Sequence, residues 1–403
     1  MSVTPPAPPA EEEVYPLRAG IYERAGGFLI PLAATVLAFL IGGLVVLVTG
    51  HNPVTAYRAI FEGAGFNWFF PWVTGDDRAA AAVDLQQTLR VAAPLMLTAL
   101  AVAFAFRCGL FNIGGQGQYW VGLIFALYVG IHLDGLSRPL HVTLGLLAGI
   151  LGGAIWGGIA GLLRATVGAH EVITTIMLNW IAIFGGQWLF ELGGPLQGPI
   201  PSLPRSESVA ESAKLWLIWP DFLDARREVL HAGFLVALVA LVVYYVILNR
   251  TTLGYEVRAV GFNPEAARYS GIPVRRSYFL ALAISGAFAG LAGAIDMLGV
   301  KYTVDTSDFG SQVAFTGIAV ALLGRNKAIG IFFAALLFAG LQTGTSTRQL
   351  DPDVFEPALA TDLATMIQAL VIFFVGAEFL IVYLWGLRRR LPTRPRPREE
   401  PAT

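Results

Sequence analysis

The sequence predicts an all-α integral membrane protein with about ten transmembrane helices. Three observations lead there. Only 14% of the 403 residues are charged and 55% are hydrophobic, whereas soluble chains carry about 25% charged residues. Long apolar runs recur along the chain; the first, residues 28–49, holds no charge and spans roughly 33 Å as a helix, enough to cross a bilayer. Lys and Arg gather in alternate loops, as the positive-inside bias requires.

The expected spans are 28–49, 85–106, 118–131, 141–163, 171–190, 229–248, 277–298, 312–323, 328–346 and 360–381. Residues 1–27, Pro-rich and acidic, read as a disordered cytoplasmic tail, 28–387 as the transmembrane domain, and 388–403 as a basic disordered cytoplasmic tail. The first run starts too late and is too long for a cleaved signal peptide. An even number of spans, with most of the 27 Lys and Arg on one side (Arg250, Arg258, Arg268, Arg275, Arg276 and Arg388 among them), places both termini in the cytoplasm.

Charge and composition also exclude partners and chemistries. A net charge of −1 gives no reason to expect nucleic acid. One cysteine, Cys108, cannot form an intrachain disulfide, and the five histidines show no metal-ligand spacing. No cofactor is expected. The membrane lipid is an expected partner of every span.

Small residues describe how the spans pack. Gly145, Gly149, Gly153, Gly157 and Gly161 recur every four residues, and Gly286, Gly290 and Gly293 form a second small-residue face. Such faces let backbones approach closely and indicate a compact bundle.

Residues 107–118, RCGLFNIGGQGQ, set Asn112, Gln116 and Gln118 among four glycines. Glycine holds a helix poorly. Two readings stand: a broken, re-entrant element lining a path for a polar solute, or a polar cytoplasmic turn anchored by Arg107. In HEVITTIMLNWIA at 170–182, Glu171 suits a helix N-terminus. Asn179, deeper on the same face, needs a partner, either another helix or a solute, with the first favoured. Phe111, Trp120 and Trp180 are candidates for stacking on a base, though core or belt positions explain them better. Asp296 and Glu378 are expected at the membrane interfaces.

The longest cytoplasmic loop, 250–276, reads as two short helices. Thr252 is expected to cap the first, with Gly261 as its left-handed stop; Asn263 and Pro264 open the second, and Gly271 and Pro273 end it. Short helices need something to pack on, and a protein partner is favoured over lipid. No GxxxxGK[ST] motif occurs, so the chain cannot cradle ATP phosphates this way. GRNKAIG at 324–330 reads as a tight turn. No buried chain of carboxylates suggests a proton relay, and no catalytic constellation suggests an enzyme.

RCGLFNIGGQGQYWVG at 107–122, HEVITTIMLNWIA at 170–182, TTLGYEVRAVGFNPEAARYSGI at 251–272 and AFTGIAVALLGRN at 314–326 together resemble the permease subunits of bacterial ABC importers for simple sugars and nucleosides. The nucleoside branch, which works with a lipoprotein of the basic-membrane-protein kind, is the nearest match. The resemblance covers about residues 28–381. It implies a type II ABC importer-like permease in the bacterial plasma membrane that translocates nucleosides by alternating access and has no ATPase site of its own. A simple sugar of the ribose or galactose type is the alternative substrate; an ion-coupled secondary transporter is a more distant one. The implied partners are a cytoplasmic ATP-binding subunit, a second permease subunit forming a heterodimeric pore, and an extracytoplasmic substrate-binding lipoprotein. By position, Gly254, Glu256, Arg258, Gly261, Asn263, Ala266, Ala267, Gly271 and Ile272 would form the coupling helices. Asn112, Gln116, Gln118 and Asn179 would lie near the substrate path. The family often has an Ala-Glu pair where this chain has Gly115 and Gln116, so no role for a negative charge carries over there.

Overall fold

The computed structural model describes residues 16–218, 229–346 and 357–376. Its helices run in the order α1 (Pro16–Val48), α2 (Pro53–Gly63), α3 (Gly75–Arg107), α4 (Gly115–His132), α5 (Arg138–Val167), α6 (Glu171–Phe190), α7 (Gly233–Arg250), α8 (Thr252–Phe262), α9 (Pro264–Tyr269), α10 (Val274–Asp296), α11 (Val313–Leu323), α12 (Ala328–Gly344) and α13 (Pro357–Gly376). Among the described residues the only strand pairing is two isolated bridges, Arg205 with Asp305 and Leu217 with His231.

Each expected span coincides with a helix. Six of these helices (α1, α3, α5, α6, α7 and α10 with its extension) are long and apolar enough to cross a membrane. The chain is a multi-pass membrane protein. α1 begins at Pro16, inside the segment expected as a tail. The end of the tenth expected span, Glu378 and the 388–403 tail lie outside the described residues.

The stretch 50–84 holds more than a loop. Asn52 caps α2 by accepting a hydrogen bond from the Val54 amide at 2.9 Å, and α3 starts at Gly75, well before hydropathy marks it. The Ala-rich polar turns at the start of α3 dilute its apolar signal without weakening its helix propensity.

Backbone-to-backbone contact among α4, α5 and α10 forms the core. A Cβ on Gly153 would stand 2.2 Å from the Gly286 carbonyl oxygen, one on Gly290 2.2 Å from that of Gly149, and one on Gly122 2.3 Å from the Gly290 Cα. No side chain fits there, so the glycine ladder exists to bring three helices together. In α3, Pro94 removes one intrahelical donor, and the Thr98 hydroxyl donates to the Pro94 carbonyl at 2.9 Å.

Past Asp296, α10 continues as a π-helical turn, Met297–Lys301, closed by Tyr302 at φ 58°. The chain between α6 and α7 is pinned there: the Val209 amide donates to the Tyr302 carbonyl at 2.9 Å, Leu215 to Leu298 at 2.9 Å, and Ala210 to Gly130 at 2.9 Å. This end of the molecule, remote from α8 and α9, is covered by ordered chain.

Candidate functional site

The polar segment between α3 and α4 is built from its amides. The Asn112 carboxamide donates to Gln118 Oε1 at 2.8 Å and to Ser285 Oγ at 2.6 Å, and its oxygen accepts from the Gly114 amide at 2.9 Å and from Gln118 at 3.1 Å. Ser285 passes the chain on to the Ala101 carbonyl at 2.5 Å. Asn179 of α6 clamps the same segment from its other side: it accepts from the Gly117 amide at 2.7 Å and donates to the Ile113 carbonyl at 2.9 Å. Gln116 joins it to the start of α11, donating to the Ser311 carbonyl at 2.8 Å and accepting from the Ala314 amide at 3.1 Å. All four amides are buried.

Both earlier readings of 107–118 are therefore modified. The chain does break here, between Arg107 and Gly115, but the amides expected along a path turn inward to satisfy freed backbone groups. They tie α3, α4, α6, α10 and α11 together at one point. Asn179 makes the structural partnership that was favoured, with the first turn of α4 at Gly117 and with the broken segment at Ile113.

A cavity of about 340 Å³ lies further along, between α3, the end of α10 and α11. That volume is within the range of small-molecule sites, roughly 300–1,000 Å³. Its polar lining is Arg90, Asp296, Gln312, Thr316 and Gln342, with Val91, Pro94, Leu95, Val300 and Val313 as the apolar part. None of Asn112, Gln116, Gln118 and Asn179 lines it. Asp296, expected at an interface, faces this cavity and accepts a hydrogen bond from the buried Tyr119 hydroxyl. Arg90 and Asp296 share one cavity. Arg90, a charge halfway along α3 and inside the expected span 85–106, was the available signal.

Trp120 is buried and packs its ring 4.4 Å from Phe309, while Trp180 is exposed and stacks on Phe184. Phe111 stacks on Phe106 at 5.0 Å. None of these aromatic residues lines the cavity.

At the opposite end, the α8–α9 loop forms a two-helix bracket. The Thr251 hydroxyl, not that of Thr252, caps α8 by accepting from the Gly254 amide at 3.1 Å. α8 runs through Gly261 to Phe262, so Gly261 is not a left-handed stop. Its missing side chain serves a close approach instead: a Cβ would stand 2.3 Å from the Arg107 carbonyl oxygen. Gly254 does the same against the end of α7, 2.1 Å from the Ile247 carbonyl oxygen. Asn263 caps α9 as expected, accepting from the Glu265 and Ala266 amides at 3.0 and 3.1 Å, and Gly271, at φ 82°, ends it.

Most of the residues expected to couple thus hold the bracket in place. Ala267 is buried, Glu256 and Arg258 are half-buried, Ile272 packs on the core, and Asn263, Ala266 and Gly271 are exposed. The outward face belongs to residues the sequence reading missed: Tyr255, Phe262 and Tyr269, exposed by 62, 91 and 94%. Their seven-residue spacing, on a loop otherwise polar, was the signal. Monomeric surfaces seldom leave aromatics so bare.

The permease-component family of the branched-chain amino acid transport system matches residues 85–376. The chain is 35% identical to a nucleoside ABC transporter permease protein of Lactococcus lactis, covering 88% of this chain and 92% of that protein. It is 36% identical to a guanosine ABC transporter permease protein of Bacillus subtilis, covering 90% and 97%. It is 33% identical to a glucose ABC transporter permease protein of Haloferax volcanii, covering 89% of each. No solved structure matches the chain.

Proposed function

The chain belongs to the family of permease components of the branched-chain amino acid transport system type, and we propose that it is the membrane-spanning subunit of an ATP-driven importer that translocates nucleosides. The observation that carries the substrate class is the likeness, over about nine-tenths of the chain, to permeases of nucleosides and of guanosine. The cavity chemistry supports it. A nucleoside presents donors and acceptors together on its base and ribose, and Arg90, Asp296, Gln312 and Thr316 offer both kinds within one small space.

In this reading α8 and α9 face the cytoplasm in a bacterial plasma membrane, as do both termini. A cytoplasmic ATP-binding subunit grips Tyr255, Phe262 and Tyr269, aromatic anchors of the kind that dominate protein interfaces. A second permease subunit completes the pore, and an extracytoplasmic lipoprotein delivers the solute to the covered end. Gly261 presses α8 on the carbonyl end of α3, so a rigid-body movement of the bracket passes into the Arg107–Gly115 break and the amide knot around it. Alternating access then needs two arrangements of that knot, driven by the partner's nucleotide cycle.

The glucose relative supports a second reading, a simple sugar such as ribose or galactose. Competition assays decide. Uptake of labelled guanosine into vesicles, dependent on ATP and blocked by unlabelled nucleosides but not by hexoses, is the expected result; blockage by hexoses alone overturns the nucleoside assignment.

A further inference from the structure

A second groove is larger than the cavity proposed for the solute. It has a volume of about 890 Å³ and lies between α1, α7, α8 and α12, where the turn 324–327 reaches toward α8. Four cations line one part of it, Arg107, Arg258, Arg325 and Lys327, and no acidic side chain among the described residues does. The rest of the wall is apolar: Leu32 of α1, Leu248 of α7, and Ile329, Phe333 and Leu337 of α12.

The cationic part is held firmly. Arg107 Nη2 and the Tyr244 hydroxyl both donate to the Asn326 carbonyl, at 2.9 and 2.8 Å. Arg325 and Asn326 are both left-handed, at φ 52° and 54°, conformations that cost non-glycine residues energy and persist only where surroundings impose them. The Asn326 side-chain oxygen is buried without a hydrogen-bond partner among the described residues. Arg258, expected to meet a motor subunit, is half-buried with its Nε donating to the Gly254 carbonyl at 3.2 Å, and it borders this groove.

We propose that the groove is a binding site for an anionic glycerophospholipid of the phosphatidylglycerol class, its phosphate among Arg107, Arg258, Arg325 and Lys327 and its acyl chain along α12. A like-charged cluster beside an apolar wall matches a ligand that is anionic at one end and hydrocarbon at the other. Basic pockets between transmembrane helices take such headgroups, and guanidinium groups bind phosphate with paired hydrogen bonds. The bound lipid bridges α8 to the α11–α12 turn and so fastens the bracket to the bundle.

The test is native mass spectrometry and thermal stability of the full chain extracted from membranes, with phosphatidylglycerol, phosphatidylcholine or inorganic phosphate added. Retention of phosphatidylglycerol over phosphatidylcholine, with a raised melting temperature that phosphate alone does not reproduce, is expected. The double variant Arg325→Gln, Lys327→Gln should weaken that retention by about tenfold or more, about 1.4 kcal/mol, and leave phosphatidylcholine unchanged. Phe333→Asp, on the exposed wall away from the turn, should weaken it also. The exchange Arg325→Lys, Lys327→Arg should keep it. Equal retention of both lipids, full stabilisation by phosphate, unaltered retention in both neutralising and wall variants, or cross-links from Ile329→Cys to a protein chain in place of lipid would overturn the proposal.

Discussion

The α-carbon of Gly261 faces the carbonyl of Arg107 so closely that a Cβ there would sit 2.3 Å from the oxygen. This contact joins the first helix of the bracket to the residue at which α3 ends and the broken segment begins. Gly109, at φ 73°, lies against Gly261 from the other side of the break. Gly261→Val must therefore push α8 off α3. Overpacking of this kind costs about 1–3 kcal/mol, felt where the bracket meets the bundle. Solute uptake should fall at least about fivefold while the chain still inserts and still binds the proposed ATP-binding subunit. Uptake measured beside co-purification reads the difference; normal uptake in the variant would remove the contact from the mechanism.

Phe262 and Tyr269 make a contrasting prediction. Both are more than nine-tenths exposed, so truncating them removes little from the fold of the isolated chain. At an interface, an aromatic anchor is worth about 2–4 kcal/mol. Phe262→Ala with Tyr269→Ala should leave the melting temperature unchanged and weaken association with the ATP-binding subunit by tenfold or more in a pull-down titration. Unchanged association would move the docking surface elsewhere.

The amide knot predicts the reverse pattern. Asn112→Leu strands the Gly114 amide and removes the acceptor of Gln118 in a buried site. Each stranded group costs about 1–3 kcal/mol, so the variant should lose thermal stability outright, and Gln116→Leu should lose less because only its contacts to Ser311 and Ala314 go. Differential scanning fluorimetry in detergent orders the two. A stable Asn112→Leu chain with altered solute preference would return this residue to the substrate path.

Local chemistry was legible in the sequence and long-range assembly was not. Hydropathy located the spans, the four-residue glycine period marked the α5 face that meets α10, and Asn263-Pro264 marked the start of α9, because each depends on neighbours along the chain. Gly261 was misread for the same reason: a glycine near a helix end resembles a stop, and only the fold reveals the Arg107 carbonyl that excludes a side chain. The cavity between α3, α10 and α11 was hidden more deeply. Arg90, Asp296 and Gln342 come from three separate helices, and no local pattern connects them.

Asp296 offers a direct probe of that cavity. Its carboxylate accepts from the Tyr119 hydroxyl and borders the same space as Arg90. Asp296→Asn keeps the shape and removes the charge. If the carboxylate meets the solute's donors, the apparent KM for guanosine should rise roughly tenfold, about 1.4 kcal/mol, with association of the ATP-binding subunit unchanged. An unaltered KM would place the solute elsewhere.

His231, just before α7, yields a pH prediction. Its Nδ1 accepts from the Gly233 amide at 3.1 Å, and a Cβ on Gly299 would lie 2.8 Å from the ring. Burial, and then the nearby Arg90 cation, push its pKa down from 6.5 to about 4. The folded chain therefore holds this imidazole neutral where the unfolded chain would bind a proton. Above pH 6.5 both states are neutral and the residue adds no pH dependence. Between 6.5 and 4 the unfolded state gains the proton first, so stability falls as pH falls, by up to roughly 3 kcal/mol, and the loss levels off below about 4. His231→Gln cannot titrate, and its melting temperature should decline less steeply across that window than that of the parent chain. Parallel declines in the two proteins would show that the imidazole takes up its proton in the folded state as readily as in the unfolded one.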